Sequence, residues 1–221
     1  MADTLAQIRT RVATKVGLGS GSNRDTLIDE NINEAILQVI QEAKPQEMWE
    51  DDTFTTTSAQ AEYTFSGISI TNALAILFVR NVTKDYEIKH TSYEVWNHYK
   101  QDTASSSSLG DPHLWTRYQN GIILFGRIPD STTRTIQWIY LKRPTRLSAD
   151  ADTFQLNDEW KRPVEELAAY LTLRDLNSDK AELKLGVYLQ LMGTRHTPEG
   201  EEDASPEGAA FIPTSNLNLV S

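Results

Sequence analysis

The chain has 221 residues, no cysteine and a formal net charge of −10, from 21 basic and 31 acidic residues. The missing thiols exclude a disulfide framework, thiolate metal sites and a cysteine nucleophile, and the acidic excess argues against gripping duplex DNA, which takes Lys and Arg to displace counterions from phosphate. Hydrophobic residues make up 39% and mean hydropathy is −0.46, values that fit a soluble chain with a long polar segment.

Taken in order, the chain opens on Met1-Ala2-Asp3-Thr4-Leu5, without the basic start and apolar run of a signal peptide. Leu5, Ile8, Val12 and Val16 recur at helical spacing and predict a short amphipathic helix. Asp3 or Thr4 can cap it, and Gly17 can end it in a left-handed turn. A Gly/Ser linker, 17–23, follows. Asp25 then introduces a stronger helix with the stripe Leu27, Ile28, Ile32, Ala35, Ile36, Val39 and Ile40, stopped by Pro45.

The period then changes to that of strands. Strands are predicted at Phe54–Thr57, Tyr63–Phe65 and Ile76–Val82, with Tyr86–Ile88 pairing back on the last of these. Ser92–Gln101 reads as a turn or short helix. Trp115–Gln119 and Ile122–Phe125, joined through Asn120-Gly121, form the clearest hairpin, because Asn-Gly suits positive φ angles. Thr133–Leu141 is one more strand, closed by Pro144.

Helical spacing returns after Asp158 with Val164, Leu167, Ala168, Leu171 and Leu176, starting at Pro163, a residue that fits a first turn. Leu183, Val187, Tyr188 and Leu191 continue it after a break near Asn177–Asp179. From Gly193 the composition turns to Gly, Pro, Glu, Ser and Asp, and such a segment cannot bury enough apolar surface to fold alone. The expected class is therefore α+β. Helices from residues 1–50 and 159–192 form one bundle, 51–158 is a central antiparallel β insertion, and 193–221 is an extended C-terminal arm.

Chemistry is scarce in this pattern. The Gly17–Gly21 run lacks the Lys-Ser/Thr ending of a phosphate loop, and no Gly-x-Ser-x-Gly elbow occurs. His90, His98, His113 and His196 never stand at metal-ligand spacing. The acid pairs Asp51-Asp52 and Asp150-x-Asp152 read as solvated loop residues. Trp96, Tyr99, Trp115, Tyr118, Trp138 and Tyr140 read as core or subunit packing, as aromatics on a half-buried sheet do. No catalytic, cofactor or metal residue is assigned, and the chain is not expected to be an enzyme.

The C-terminal segment is the most informative. An acidic spacer, Glu199-Gly200-Glu201-Glu202-Asp203, precedes an apolar tip, Ala209-Ala210-Phe211-Ile212-Pro213 and Leu217-Asn218-Leu219-Val220. Leu217 and Leu219 alternate about Asn218, which suits a strand added to a partner's edge. The alternative is a tail folded back on its own domain.

The order of these elements resembles the head-to-tail adaptor proteins of tailed bacteriophages. The opening Leu5-x-x-Ile8-Arg9-x-Arg11-Val12 and Leu27-Ile28-x-x-x-Ile32-Asn33-Glu34-Ala35 flank the Gly-rich gap. Gly110-Asp111-Pro112 precedes Trp115, a Pro-bounded strand runs near Ile122–Pro129, Tyr140-x-x-x-Pro144 leads to Leu147, and a helix pair begins near Trp160. The resemblance covers residues 4–192, and the long insert looks like that of short-tailed phages. It implies a non-enzymatic virion protein, assembled in the host cytoplasm and repeated as a ring of twelve copies beneath the portal protein. It further implies a tail or nozzle protein below, no membrane, and a passive DNA channel without sequence-specific binding. Portal contact through the arm falls on Phe211, Ile212, Leu217, Leu219 and Val220. The rival readings are another virion neck or tail-completion protein, and a tail-associated carbohydrate-binding or hydrolytic protein.

Overall fold

The computed structural model describes residues 3–19, 21–68, 72–102, 109–119 and 121–193. Helix α1 (Leu5–Val16) begins in a capping box: the Thr4 hydroxyl accepts from the Gln7 amide, and the Gln7 side chain accepts from the Thr4 amide. Two donors that a helix start leaves orphaned are thereby satisfied. Gly17 closes the helix at φ 71°, a conformation that costs glycine little. Leu18 packs on the helical core, so the Gly-rich linker is held part-way along. Helix α2 (Ser22–Ala43) starts before Asp25, which lies in its first turn instead of capping it. A carboxylate there still complements the positive end of the helix dipole.

Ten strands and a third helix follow in the described residues. They are β1 (Trp49–Thr55), β2 (Glu62–Thr64), β3 (Ala73–Asn81), β4 (Tyr86–Glu87), β5 (Lys89–His90), α3 (Tyr93–Asp102), β6 (Leu109–Gly110), β7 (Leu114–Tyr118), β8 (Gly121–Phe125), β9 (Ile128–Pro129) and β10 (Thr135–Lys142). One antiparallel sheet has the order β1-β10-β3-β4, a second runs β2-β8-β7-β5, and β6 pairs with β9. β1 begins five residues before the strand expected at Phe54. Its acidic run Glu50-Asp51-Asp52 lies on a sheet edge, where charged side chains face water and guard against stray pairing.

The β7–β8 hairpin forms as expected, with one change at its turn. Tyr118 pairs with Gly121, so Gly121 is not in the turn as expected, and Gln119 carries a positive φ of 47°. Gly121 belongs to the strand. A Cβ there would strike the Tyr63 carbonyl of β2, so the glycine serves close approach of a third strand.

Helices α4 (Asp158–Asp175) and α5 (Ala181–Gly193) complete the chain. α4 starts at Asp158, not at Pro163, which sits in the second turn and has no backbone N–H to donate there. Burial of Trp160 in the helical core holds the added turn in place. Leu176 and Leu183, expected on the buried face, are exposed.

Two main cores result. Leu5, Ile8, Ile32, Val39, Val164 and Leu171 lead the helical one, which also takes Leu147, Phe154 and Leu156 from the segment before α4. Fully burying a side chain of this size stabilises by roughly 1.5–3 kcal/mol. Val79, Trp115, Leu124, Ile136 and Trp138 lead the second, between the two sheets. Leu74, Ala75 and Leu77 of β3 and Leu141 of β10 pack on the helices, so this sheet walls both cores.

Candidate docking surfaces

The anchors expected in the arm, Phe211, Ile212, Leu217, Leu219 and Val220, lie outside the described residues. What the structure shows is the base from which that segment leaves, α5, and how it is fixed.

Three cations on α1 tie down α2 and α4, the helices on which α5 rests. Arg9 grips both Asp29 oxygens at 2.6 Å and reaches Asp150 at 2.8 Å. The fork matches the carboxylate plane, and the Asp29 bonds raise the guanidinium's pKa further. Arg11 donates to Glu165 at 2.5 Å and to Asp3 at 2.6 Å. Lys15 stands 2.9 Å from Glu165 and 2.7 Å from Glu166. From the other side, Lys184 of α5 pairs with Glu166 at 3.3 Å. Glu165 and Glu166 are only 7% and 6% exposed. Burial alone would push the Glu166 carboxyl up, but Lys15 and Lys184 outweigh it and hold it below its ordinary value. Tyr188 of α5 donates to Glu42 of α2; burial, and then the Glu42 bond, push its hydroxyl well up, so it stays a donor. α5 is thus tied to α4 and α2 by polar contacts as well as packing.

Its outer side is bare. Leu183 is 72% exposed, Leu189 57% and Leu176, just past α4, 46%. A separate groove of about 490 Å³ runs between α2 and residues 143–146. Leu37, Pro144 and the edge of buried Ile36 are its apolar lining, and Glu30, Glu34, Arg143 and Arg146 give it both signs of charge.

The family profile described as SU10 adaptor protein matches residues 3–199, a span that takes in every described residue. The chain belongs to this family. It is a structural adaptor of the phage head–tail connection and hence a virion component. The adaptor matches no curated protein. The family match ends at Glu199, before the apolar tip that begins at Ala209.

The residues weighed for other chemistry have structural work in the adaptor. Asp51 accepts from Gln137, Asp52 from the Thr53 amide, and Asp150 from Arg9. Asp152 accepts from the Ala149 and Ser148 amides, which hold its carboxyl below the ordinary range. Trp96, Trp115 and Trp138 are buried, Tyr140 donates to Glu50, and Tyr118 stacks on Tyr93 at 5.1 Å. His90 packs on Trp115, and His113 lies where a Cβ of Gly126 would be. His196 and the Tyr99 side chain lie outside what is described. The Gly110-Asp111-Pro112 step has a visible purpose: Asp111 pairs with buried Arg134, and the Pro112 carbonyl accepts from Tyr86. Among the described residues, no group of three metal-binding side chains converges, and no helix is long and apolar enough to cross a membrane.

The sequence reading missed the ion-pair network. Its signal was there: Glu165-Glu166 sits between Val164 and Leu167 on a buried stretch, and acids in such a place need cations. The groove left no such signal, because residues 30–37 and 143–146 meet only in the fold.

Proposed function

We propose that this adaptor docks on the portal ring through residues 193–221, with Phe211, Ile212, Leu217, Leu219 and Val220 as anchors. Twelve copies then close around the DNA channel of a short-tailed phage, above a tail or nozzle protein. The helical body is residues 1–50 and 159–192, and residues 51–158 are the insertion. The family match carries this reading. The sequence supports it in two ways. An acidic spacer before an apolar tip suits a tether that ends in an anchor, and ordering such a segment costs least when a partner binds it once, at the site of assembly. A net charge of −10 lets DNA slide past without adhering.

The test is light scattering after size-exclusion chromatography, on the full chain alone and mixed with its portal ring. The expected result is a monomer that joins the portal at one copy per portal subunit. A chain cut after Gly193, or one carrying Phe211→Asp with Leu219→Asp, is expected to stay free. A full chain indifferent to portal overturns the reading.

A further inference from the structure

We propose that the outer face of α5 is one half of the contact between neighbouring copies, and that the groove between α2 and residues 143–146 of the next copy is the other half. This rests on the ring reading above and adds the surfaces that close it.

α5 is apolar on every side: Leu183, Leu185, Val187, Tyr188, Leu189 and Leu191 fall within 13 residues. Helices of this kind are normally enclosed. Here one side packs on α4 while Leu183 and Leu189 face out, and Leu176, between α4 and α5, is exposed as well. Gly186 lies between those two leucines. An interior glycine weakens a helix relative to alanine, and a Cβ at this position would meet nothing within 4 Å. The subunit itself has no use for the glycine. A foreign surface passing close to the helix backbone does.

The groove offers the matching features. Its apolar lining, Leu37 and Pro144 over buried Ile36, can receive leucines, and its rim carries Glu30 and Glu34 beside Arg143 and Arg146. The α5 patch is flanked by exposed Lys180 and Glu182, so both surfaces are apolar centres with charges of both signs. One chain cannot bring them together. On α2, Glu42 meets the chain's own Tyr188, while Leu37 lies five residues away, about 140° around the helix axis. A copy therefore offers α5 to one neighbour and its groove to another, the head-to-tail arrangement that generates rings. The chain's own C-terminal segment is the poorer occupant. Residues 193–221 hold five acids and one base, a one-sided charge, whereas the groove rim carries both signs to set against Lys180 and Glu182.

Two exposed leucines on α5 fall well short of the roughly 800 Å² per partner of a stable interface. Free copies therefore stay apart, and the contact forms when a portal ring holds neighbours at high effective concentration.

The chain has no cysteine, so an engineered pair reports on this contact alone. The full-length double variant Leu37→Cys with Leu183→Cys is loaded on portal rings and oxidised. The expected result is a ladder of covalent multimers reaching the closed ring, absent without portal and stopping at dimers for either cysteine alone. In parallel, Leu183→Glu with Leu189→Glu, both at exposed positions, is expected to raise the concentration for half-occupancy of the portal by about tenfold or more, the loss of neighbour avidity. Full portal occupancy with neither a ladder nor that shift overturns the interface and leaves portal docking intact. Failure of the unaltered chain to bind portal overturns the docking reading instead. Capture of Phe211→Cys by Leu183→Cys in the free monomer assigns the face to the chain's own arm and also overturns the proposal.

Discussion

The helical and sheet regions bury opposite charges. Between the helices lie two acids, Glu165 and Glu166, served by cations from α1 and α5. Beside the sheets lies a base, Arg134, 3% exposed and served by Asp111 and Asp130. The hydrogen bonds from Arg134 hold the Asp130 carboxyl far below the ordinary range. A buried guanidinium never loses its proton at accessible pH, whereas a carboxylate can gain one. The difference teaches which region can sense its surroundings. The helices, which carry the base of the C-terminal segment, respond to acid through a buried carboxylate and to loss of a cation; beside the sheets the acid-sensitive group is the partner Asp130, whose carboxyl takes a proton only far below the ordinary range.

The strongest way to break this contrast is Trp138→Ala in the sheet core, where the indole is fully buried. Large-to-small changes of this kind cost about 3–5 kcal/mol. The near-UV tryptophan signal is expected to collapse at lower urea than the far-UV helix signal. A coincident shift of both would mean that β3 and β10, which wall both cores, couple them into one unit.

Much of the helical side was legible because its signals are local. Thr4, Gln7 and Gly17 mark the ends of α1, and the stripe from Ile28 to Ile40 marks the buried side of α2. The β7–β8 hairpin was equally local, although Gly121 serves β2 rather than the turn. What could not be read is what pairs across distance. Trp49 lies opposite Leu141, and Lys15 meets Glu166, 151 residues on. Pro163 misled because its place in a first turn is the commoner one, and burial of Trp160 supplies what the motif lacks. Of the site, the exposed leucines of α5 looked like core in the sequence, since spacing alone does not say which side of an apolar helix meets nothing.

Lys15→Met tests the electrostatic half of the contrast. It leaves Glu165 to Arg11 and Glu166 to Lys184, at a cost of about 2 kcal/mol, less than the 3–5 kcal/mol for stripping a buried charge of every partner. Urea denaturation followed by the helix signal measures it, and the sheet signal should move less. Acid should act the same way. The folded Glu166 carboxyl titrates below its ordinary value of 4.5, so its contribution is present above that pH and fades as pH falls through the folded value. Glu166→Gln is expected to flatten that decline. A decline of unchanged depth would place the acid sensitivity elsewhere.

Smaller again is the cap. Thr4→Ala removes one half of the capping box and is expected to cost about 1 kcal/mol, read as faster hydrogen exchange in the first turn of α1. Since Phe154 donates its amide to the Asp3 carbonyl and Leu5 donates to the Asp152 carbonyl, the loop before α4 should loosen with it.

The smallest change separates stability from assembly within the helical region itself. Gly186→Ala fills no occupied space and removes backbone freedom from the unfolded chain. It is expected to stabilise the free subunit by roughly 0.5–1 kcal/mol, the usual gain of alanine over glycine inside a helix. Thermal unfolding of the monomer checks that gain. On the portal the same methyl group stands where a neighbour's groove is proposed to close on the helix backbone, so ring occupancy should fall while the melting temperature rises. A gain in both would mean that nothing approaches Gly186 closely, and the leucines flanking it would be left as the whole of the contact.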